Sequence, residues 1–267
     1  MENIVPALSI VMMAVVALFG VAIPVVLFLV FRRKRGADVL PFFIGCAVFI
    51  LFALVVEGTL NSLILNSALG KKIMSNVWLY AVFGGMMAGL FEETGRYTAF
   101  KTVLRKKRGN DANALMYGAG HGGFEALYIL GISMVTYIVM ALNQNAGVNG
   151  TEVSATVQGL IDTPPATYLL AVVERFAAVA FHIAASVLVW FAAKNAKRFW
   201  LYPLAVLLHA LFDAVAIVLA NYISSTVLLE CIIVVYAALC VLLAAAVWKK
   251  NASAGETAAD APAEPAQ

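Results

Sequence analysis

Apolar residues run along this chain in seven long stretches separated by short polar breaks, without the two-residue alternation of a half-buried strand. Their approximate limits are residues 4–31, 40–67, 77–100, 112–142, 166–193, 199–220 and 226–248. Each reaches the roughly 20 residues that a helix needs to cross the hydrocarbon of a bilayer. Several exceed it, which accommodates tilt or short helical extensions. The pattern predicts an all-α fold, a polytopic transmembrane bundle of about seven spans. The stretch 143–165 has no lysine or arginine and contains Asp162, Pro164 and Pro165, so it reads as a connection. It includes Asn149-Gly150-Thr151, a glycosylation sequon too common to carry weight by itself. From Asn251 the chain is alanine, proline, glutamate and aspartate without apolar periodicity. The expected organisation is one membrane domain, residues 1–250, and a disordered cytoplasmic tail, residues 251–267.

Composition supports this picture. The 267 residues are 63% hydrophobic and 12% charged, where a soluble domain carries about twice that charge. Mean hydropathy is +0.92. The expected location is therefore the cell membrane, a bacterial plasma membrane, with the lipid bilayer as constant partner. The net charge of +3 matters through its placement. Arg32-Arg33-Lys34-Arg35, Arg105-Lys106-Lys107-Arg108, Lys194 with Lys197-Arg198, and Lys249-Lys250 follow spans one, three, five and seven, while the opposite loops hold only Lys71 and Lys72. The positive-inside rule then places the N-terminus outside and the C-terminus in the cytoplasm. No basic stripe is interleaved with aromatics, so nucleic acid is not an expected partner. Cys46, Cys231 and Cys240 all lie in apolar stretches and read as small buried hydrophobes rather than a disulfide framework or thiolate metal site. Glu2 and the absence of a basic leader region mark the first apolar run as a retained span.

Against this background the ionisable residues inside the spans stand out, because each costs several kcal/mol in lipid unless it meets a partner or a wet cavity. The third span carries Glu92-Glu93-x-x-Arg96, and the fourth carries His121 and Glu125. The fifth carries His182, and the sixth His209 and Asp213. Glu93 precedes Arg105 by 12 positions and His121 follows Arg108 by 13; His182 precedes Lys194 by 12 and His209 follows Arg198 by 11. At 1.5 Å per residue, all four stand about 16–20 Å from the basic boundary. Three histidines and an acidic pair at one depth point to a site. Arg96 can pair with either glutamate on a helix, which would leave the other to take up and release a proton from water. His121 and Glu125 share a helical face, as do His209 and Asp213, so each carboxylate is a candidate for orienting its imidazole. Glu57, Glu174 and Arg175 count out nearer the other ends of their spans and read as gating, topological or structural groups. Gly85 with Gly89, and Gly118 with Gly122, are spaced for close helix approach, which would draw the carboxylate and histidine segments together.

Glu92-Glu93-x-x-Arg96, His182 within Glu174-Arg175-Phe-x5-His, and His209-Ala-Leu-Phe-Asp213 together resemble the superfamily of CAAX-prenyl proteases and bacteriocin-processing enzymes. With Gly120-His121-Gly122-Gly123-Phe124-Glu125 included, the chain is most similar to the YhfC-type membrane peptidases. The resemblance covers nearly the whole membrane region and implies an intramembrane peptidase site. On that analogy Glu92 and Glu93 activate water, while His182, His209 and Asp213 stabilise the oxyanion or orient the site. Two differences accompany it. The CAAX-protease pattern has one more residue between the glutamates and the arginine, and it places phenylalanine where this chain has Ala178.

The expected activity is endopeptidase cleavage of a membrane-associated protein or peptide. Two mechanisms remain open at this stage. In one, Glu92 or Glu93 activates water and histidines supply oxyanion donors. In the other, His121, His182 and His209 hold Zn²⁺ and a glutamate is the base. A proton-coupled transporter using the same groups as a relay is the alternative from another class, although no inverted repeat is visible. A catalytically inactive relative that binds a partner, as an immunity protein would, is a third. Oligomeric state and substrate are not legible.

Overall fold

The computed structural model describes residues 4–148 and 153–252. The sequon at Asn149 and the tail beyond Ala252 lie outside the described residues. The chain is all-helical: α1 (Ala7–Lys34), α2 (Leu40–Leu65), α3 (Ala68–Met74), α4 (Val77–Lys101), α5 (Ala112–Asn145), α6 (Ala155–Asp162), α7 (Pro165–Lys194), α8 (Leu201–Tyr222) and α9 (Thr226–Asn251). Among the described residues six helices, α8 counted with the short turn before it, are long and apolar enough to cross a membrane. The number rises to seven if α3 and α4, bent by 112° where they meet, form one broken span. It is the acidic pair and arginine on α4 that lower its apolarity. At the bend, Asn76 caps α4, its Oδ1 accepting from the amides of Trp78 (2.9 Å) and Leu79 (3.1 Å).

Several helices run past a limit set by hydropathy, because apolarity marks where lipid ends and a helix can continue into water through residues such as Arg32, Arg33 and Lys34. Residues 143–165, expected to be a plain connection, contain α6, which Ser154 caps from its side chain. Two spans also leave the regular α-helix. Phe49–Glu57 in α2 and Leu127–Ile132 in α5 are π-helical, a geometry common near functional sites.

α7 is the centre of the bundle. Within it 83% of an 18-residue window is buried, against 22–28% in the other helices that qualify as spans. α5 packs against α7, α1 and α2, and α4 packs along α8. Glycine makes these approaches possible. A Cβ at Gly85 would overlap the carbonyl oxygen of Ala210, and one at Gly89 that of Val206, both on α8. On α5, a Cβ at Gly118 would press on the Ile183 backbone and one at Gly122 on His182 itself. The basic ends are tied by polar bonds. The Asp38 amide donates to Asn113 Oδ1 at 2.7 Å, and Asn113 Nδ2 donates to Asp38 Oδ2 at 2.9 Å. That bond, with Lys107 at 3.3 Å, holds the Asp38 carboxyl below the usual carboxylate range.

Candidate metal centre

α4 presents Glu92, Glu93 and Arg96 to the interior, with 7%, 0% and 0% of their surface exposed. Arg96 reaches Glu93 Oε2 at 3.0 Å, the pairing that its three-residue spacing allows. It also lies 3.2 Å from His182 Nδ1. A guanidinium can only donate, so Nδ1 of His182 is the accepting nitrogen and Nε2 carries the proton. That Nε2 faces Glu125 Oε2 at 2.7 Å. Glu125 Oε1 in turn accepts from Arg175 at 2.6 Å, and Arg175 also grips Glu174. The second half of the site repeats the design. His209 Nδ1 is 2.8 Å from Glu93 Oε1, and Glu93 is backed by Arg96. Glu93, paired with a guanidinium, is the acceptor there, so the His209 nitrogen donates.

The result is two chains of imidazole, carboxylate and guanidinium: His182–Glu125–Arg175 and His209–Glu93–Arg96. Each turns its inner nitrogen toward one atom. Glu92 Oε2 lies 4.0 Å from His182 Nδ1, 4.0 Å from His209 Nε2 and 2.8 Å from His121 Nε2. The rings are neighbours, with centroids 4.9 Å apart for His121 and His182 and 5.2 Å for His182 and His209. Phe49 and Tyr117 wall His121 on its other faces, and its Nδ1 is buried without a hydrogen-bond partner among the described residues.

Glu92, Glu93, Arg96, His121, Glu125, His182, His209 and Asp213, the site candidates from sequence, fall in one cluster, but the pairings differ. Glu125 was expected to orient His121; it bonds His182 and Arg175 instead, and His121 meets Glu92. A shared helical face brings two side chains to the same side, whereas the neighbouring helix decides which partner each one finds. Asp213 stands 3.7 Å from His209 Nε2, looser than Glu93 on the other nitrogen. Arg175, read as peripheral, belongs to the centre's support. It precedes His182 by seven residues, two helical turns on the same face, and that spacing was the available signal. Glu57 closes the π-helical segment of α2 and accepts from Asn61 at 3.1 Å, outside the ring.

The donor set suits a metal ion. One donor atom each from Glu92, His121 and His182 lies within 4.8 Å of the other two. The 2.8 and 4.0 Å separations from Glu92 bracket the ~3.3 Å edge of a tetrahedral sphere with ~2.0–2.1 Å bonds. Metal-ligating histidines characteristically give their outer N–H to a carboxylate, as His209 does to Glu93, while His182 sets its outer nitrogen 2.7 Å from Glu125 Oε2. A metal on His182 Nδ1 would take over the lone pair that Arg96 now holds, leaving Arg96 its bond to Glu93. Imidazole and carboxylate donors without thiolate are consistent with zinc or another first-row divalent ion.

The profile of the YhfC intramembrane metalloprotease family matches residues 19–250. The membrane protein YhfC of Bacillus subtilis (strain 168) is 36% identical over 219 residues, covering 78% of this chain and 84% of that protein. No solved structure matches. A multi-pass helical membrane protein matched along most of its length, this chain belongs to the YhfC intramembrane metalloprotease family.

Proposed function

We propose that this protein is an intramembrane endopeptidase whose hydrolytic centre is the ring of Glu92, His121, His182 and His209. The observation that carries the reading is the convergence of three imidazoles on Glu92 Oε2, at 2.8, 4.0 and 4.0 Å, inside a membrane bundle. Glu92, His121 and His182 would hold the ion, and His209 Nε2 faces the same space. A divalent ion bound there supplies Lewis acidity to the scissile carbonyl and to water. Glu93 and Glu125 are each committed to an arginine and a histidine, so they orient the imidazoles rather than move protons. Asp213 is the carboxylate left over. Its side chain is 34% exposed, against 10% for Glu92 and 17% for Glu125, and among the described residues no guanidinium pairs with it. It accepts the proton of the attacking water as the C–O bond forms, then returns it to the leaving nitrogen as the C–N bond breaks. The substrate class is a peptide segment that reaches this depth in the bilayer. Membership of a metalloprotease family supports this reading over a proton-coupled transporter.

A second assignment is favoured by His209 Nε2, as close to Glu92 as His182 is: three histidines hold the ion and Glu92 is the base. Zinc content of protein purified in detergent and dialysed against Zn²⁺ separates the two. Glu92→Gln loses the bound zinc if Glu92 is a ligand, and retains it while losing cleavage if Glu92 is the base. Asp213→Asn retains zinc in both. Cleavage is read from new peptide termini in membranes of cells making the wild-type or variant protein. Wild-type protein that takes up no zinc, and leaves the same termini as the variants, ends the proposal.

A further inference from the structure

Among the described residues, the other carboxylates set within the spans lie on one side of the histidine layer, with Arg175. Asp213 is one turn beyond His209 on α8, and Glu125 one turn beyond His121 on α5; both helices start at a basic loop. Arg175 and Glu174 precede His182 by seven and eight residues on α7, which ends at the basic Lys194. Glu230 is four residues into α9, which ends at Lys249-Lys250. Glu57 is 17 residues along α2, which starts after Arg35. Each therefore points away from the basic loops, and the trail extends about 10 Å beyond the ring by Arg175. Toward the basic loops the packing is tight and largely aromatic, and the buried carboxylate there, Asp111, accepts from Trp190 at 2.8 Å and pairs with Lys194. Phe100, Leu104, Tyr117 and Trp190 all have 0% exposure, with ring centroids 4.6 Å (Phe100–Tyr117) and 4.9 Å (Phe100–Trp190) apart.

Two observations favour water on the polar side. The side chains of Asp213 and Glu174 are 34% and 37% exposed, which in hydrocarbon would cost several kcal/mol each. Glu57 Oε2 and Glu230 Oε2 are enclosed but find no hydrogen-bond partner among the described residues, a condition that ordered water relieves. The π-helical segment of α2 begins with Phe49 against His121 and runs toward this same side, ending at Glu57.

We infer that water and the scissile segment reach the Glu92 ring through an acidic vestibule at the end of the bundle opposite the basic loops, past Glu57, Asp213 and Glu125. Under the positive-inside expectation that end faces away from the cytoplasm. The centre would then work on segments presented from outside, although it sits nearer the basic boundary. A carboxylate-lined approach also favours a segment carrying lysine or arginine close to the cleavage point. What this says of substrate rests on the hydrolytic reading of the ring; what it says of access does not.

Single cysteines tested in protein lacking Cys46, Cys231 and Cys240 decide it. Glu57→Cys, Asp213→Cys and Glu174→Cys are exposed, in right-side-out and in inverted vesicles, to a cationic methanethiosulfonate that does not cross lipid. Ser67→Cys marks the loop end without the basic clusters and Lys106→Cys the basic end. The expected result is that the vestibule positions react from the face that labels Ser67→Cys, that reaction is lost from the face that labels Lys106→Cys, and that Phe100→Cys reacts from neither. Should Asp213→Cys fail to fold, Glu57→Cys and Glu230→Cys lie outside the ring and read the same path. Modification from the Lys106 face, or from neither face while both markers react, overturns the inference. Labelling needs no cleavage, so a negative result here leaves the hydrolytic reading to its own zinc and terminus measurements.

Discussion

Arg96 and Arg175 each stand behind a carboxylate that orients a histidine, and the planar fork of a guanidinium explains why arginine suits both places. Arg175 spans Glu125 and Glu174 with two separate nitrogens. A lysine would keep the charge but offer one point of contact. Removing a partner that orients a metal-ligating histidine typically weakens metal affinity by about 10–100-fold. Arg175→Ala is therefore expected to lose zinc affinity in that range and Arg175→Lys to fall between it and the wild type, measured by zinc titration against a competing chelator. Equal affinity in all three would mean that Glu125 holds His182 without help. These residues were visible as ionisable groups in lipid, but their partners were not. Glu125 illustrates the reason: its spacing from His121 is local, whereas its bond to His182 crosses from α5 to α7.

At the scale of the helix, the centre depends on how closely α4 lies on α8 and α5 on α7. Gly84 and Gly85 adjoin on α4 but face different surroundings. A methyl at Gly84 would meet only the end of the Ile217 side chain, at 3.4 Å, whereas one at Gly85 would overlap the Ala210 backbone. Overpacking against backbone costs about 1–3 kcal/mol, while alanine in place of glycine inside a helix gains up to about 1 kcal/mol. Gly85→Ala should lower the thermal unfolding midpoint in detergent and Gly84→Ala leave it unchanged or raise it. Equal midpoints would show that the α4–α8 approach is not tightly constrained. The four-residue glycine spacing announced close contact in the sequence. The π-helical segments of α2 and α5 were not announced, since their apolar runs look like any other span and nothing in the spacing distinguishes a wider helical turn.

For the molecule as a whole, the placement of basic residues makes an orientation testable. Arg32 to Arg35, the Arg105–Arg108 cluster, Lys194 to Arg198 and Lys249-Lys250 all lie at one end of the bundle. A fluorescent reporter fused after the tail should fold and fluoresce, as it does in the cytoplasm, and an alkaline phosphatase fused there should be inactive. The opposite pattern would invert the orientation and send the acidic vestibule to the cytoplasm, without changing which end of the bundle it opens on.

The sequence by itself determined the class of fold, the spans to within a few residues, the common depth of the histidines and acidic pair, and the family resemblance. It could do so because apolarity, helical rise and the cost of charge in lipid act along the chain. Only the tertiary structure decided that Glu92 is the shared neighbour of three imidazoles, that Glu93 and Glu125 are each tied between an arginine and a histidine, and that Arg175 belongs to the site. Those outcomes depend on the rotation and approach of helices far apart in sequence, and hydrogen bonds lasting only over about 3 Å leave no trace in a one-dimensional spacing.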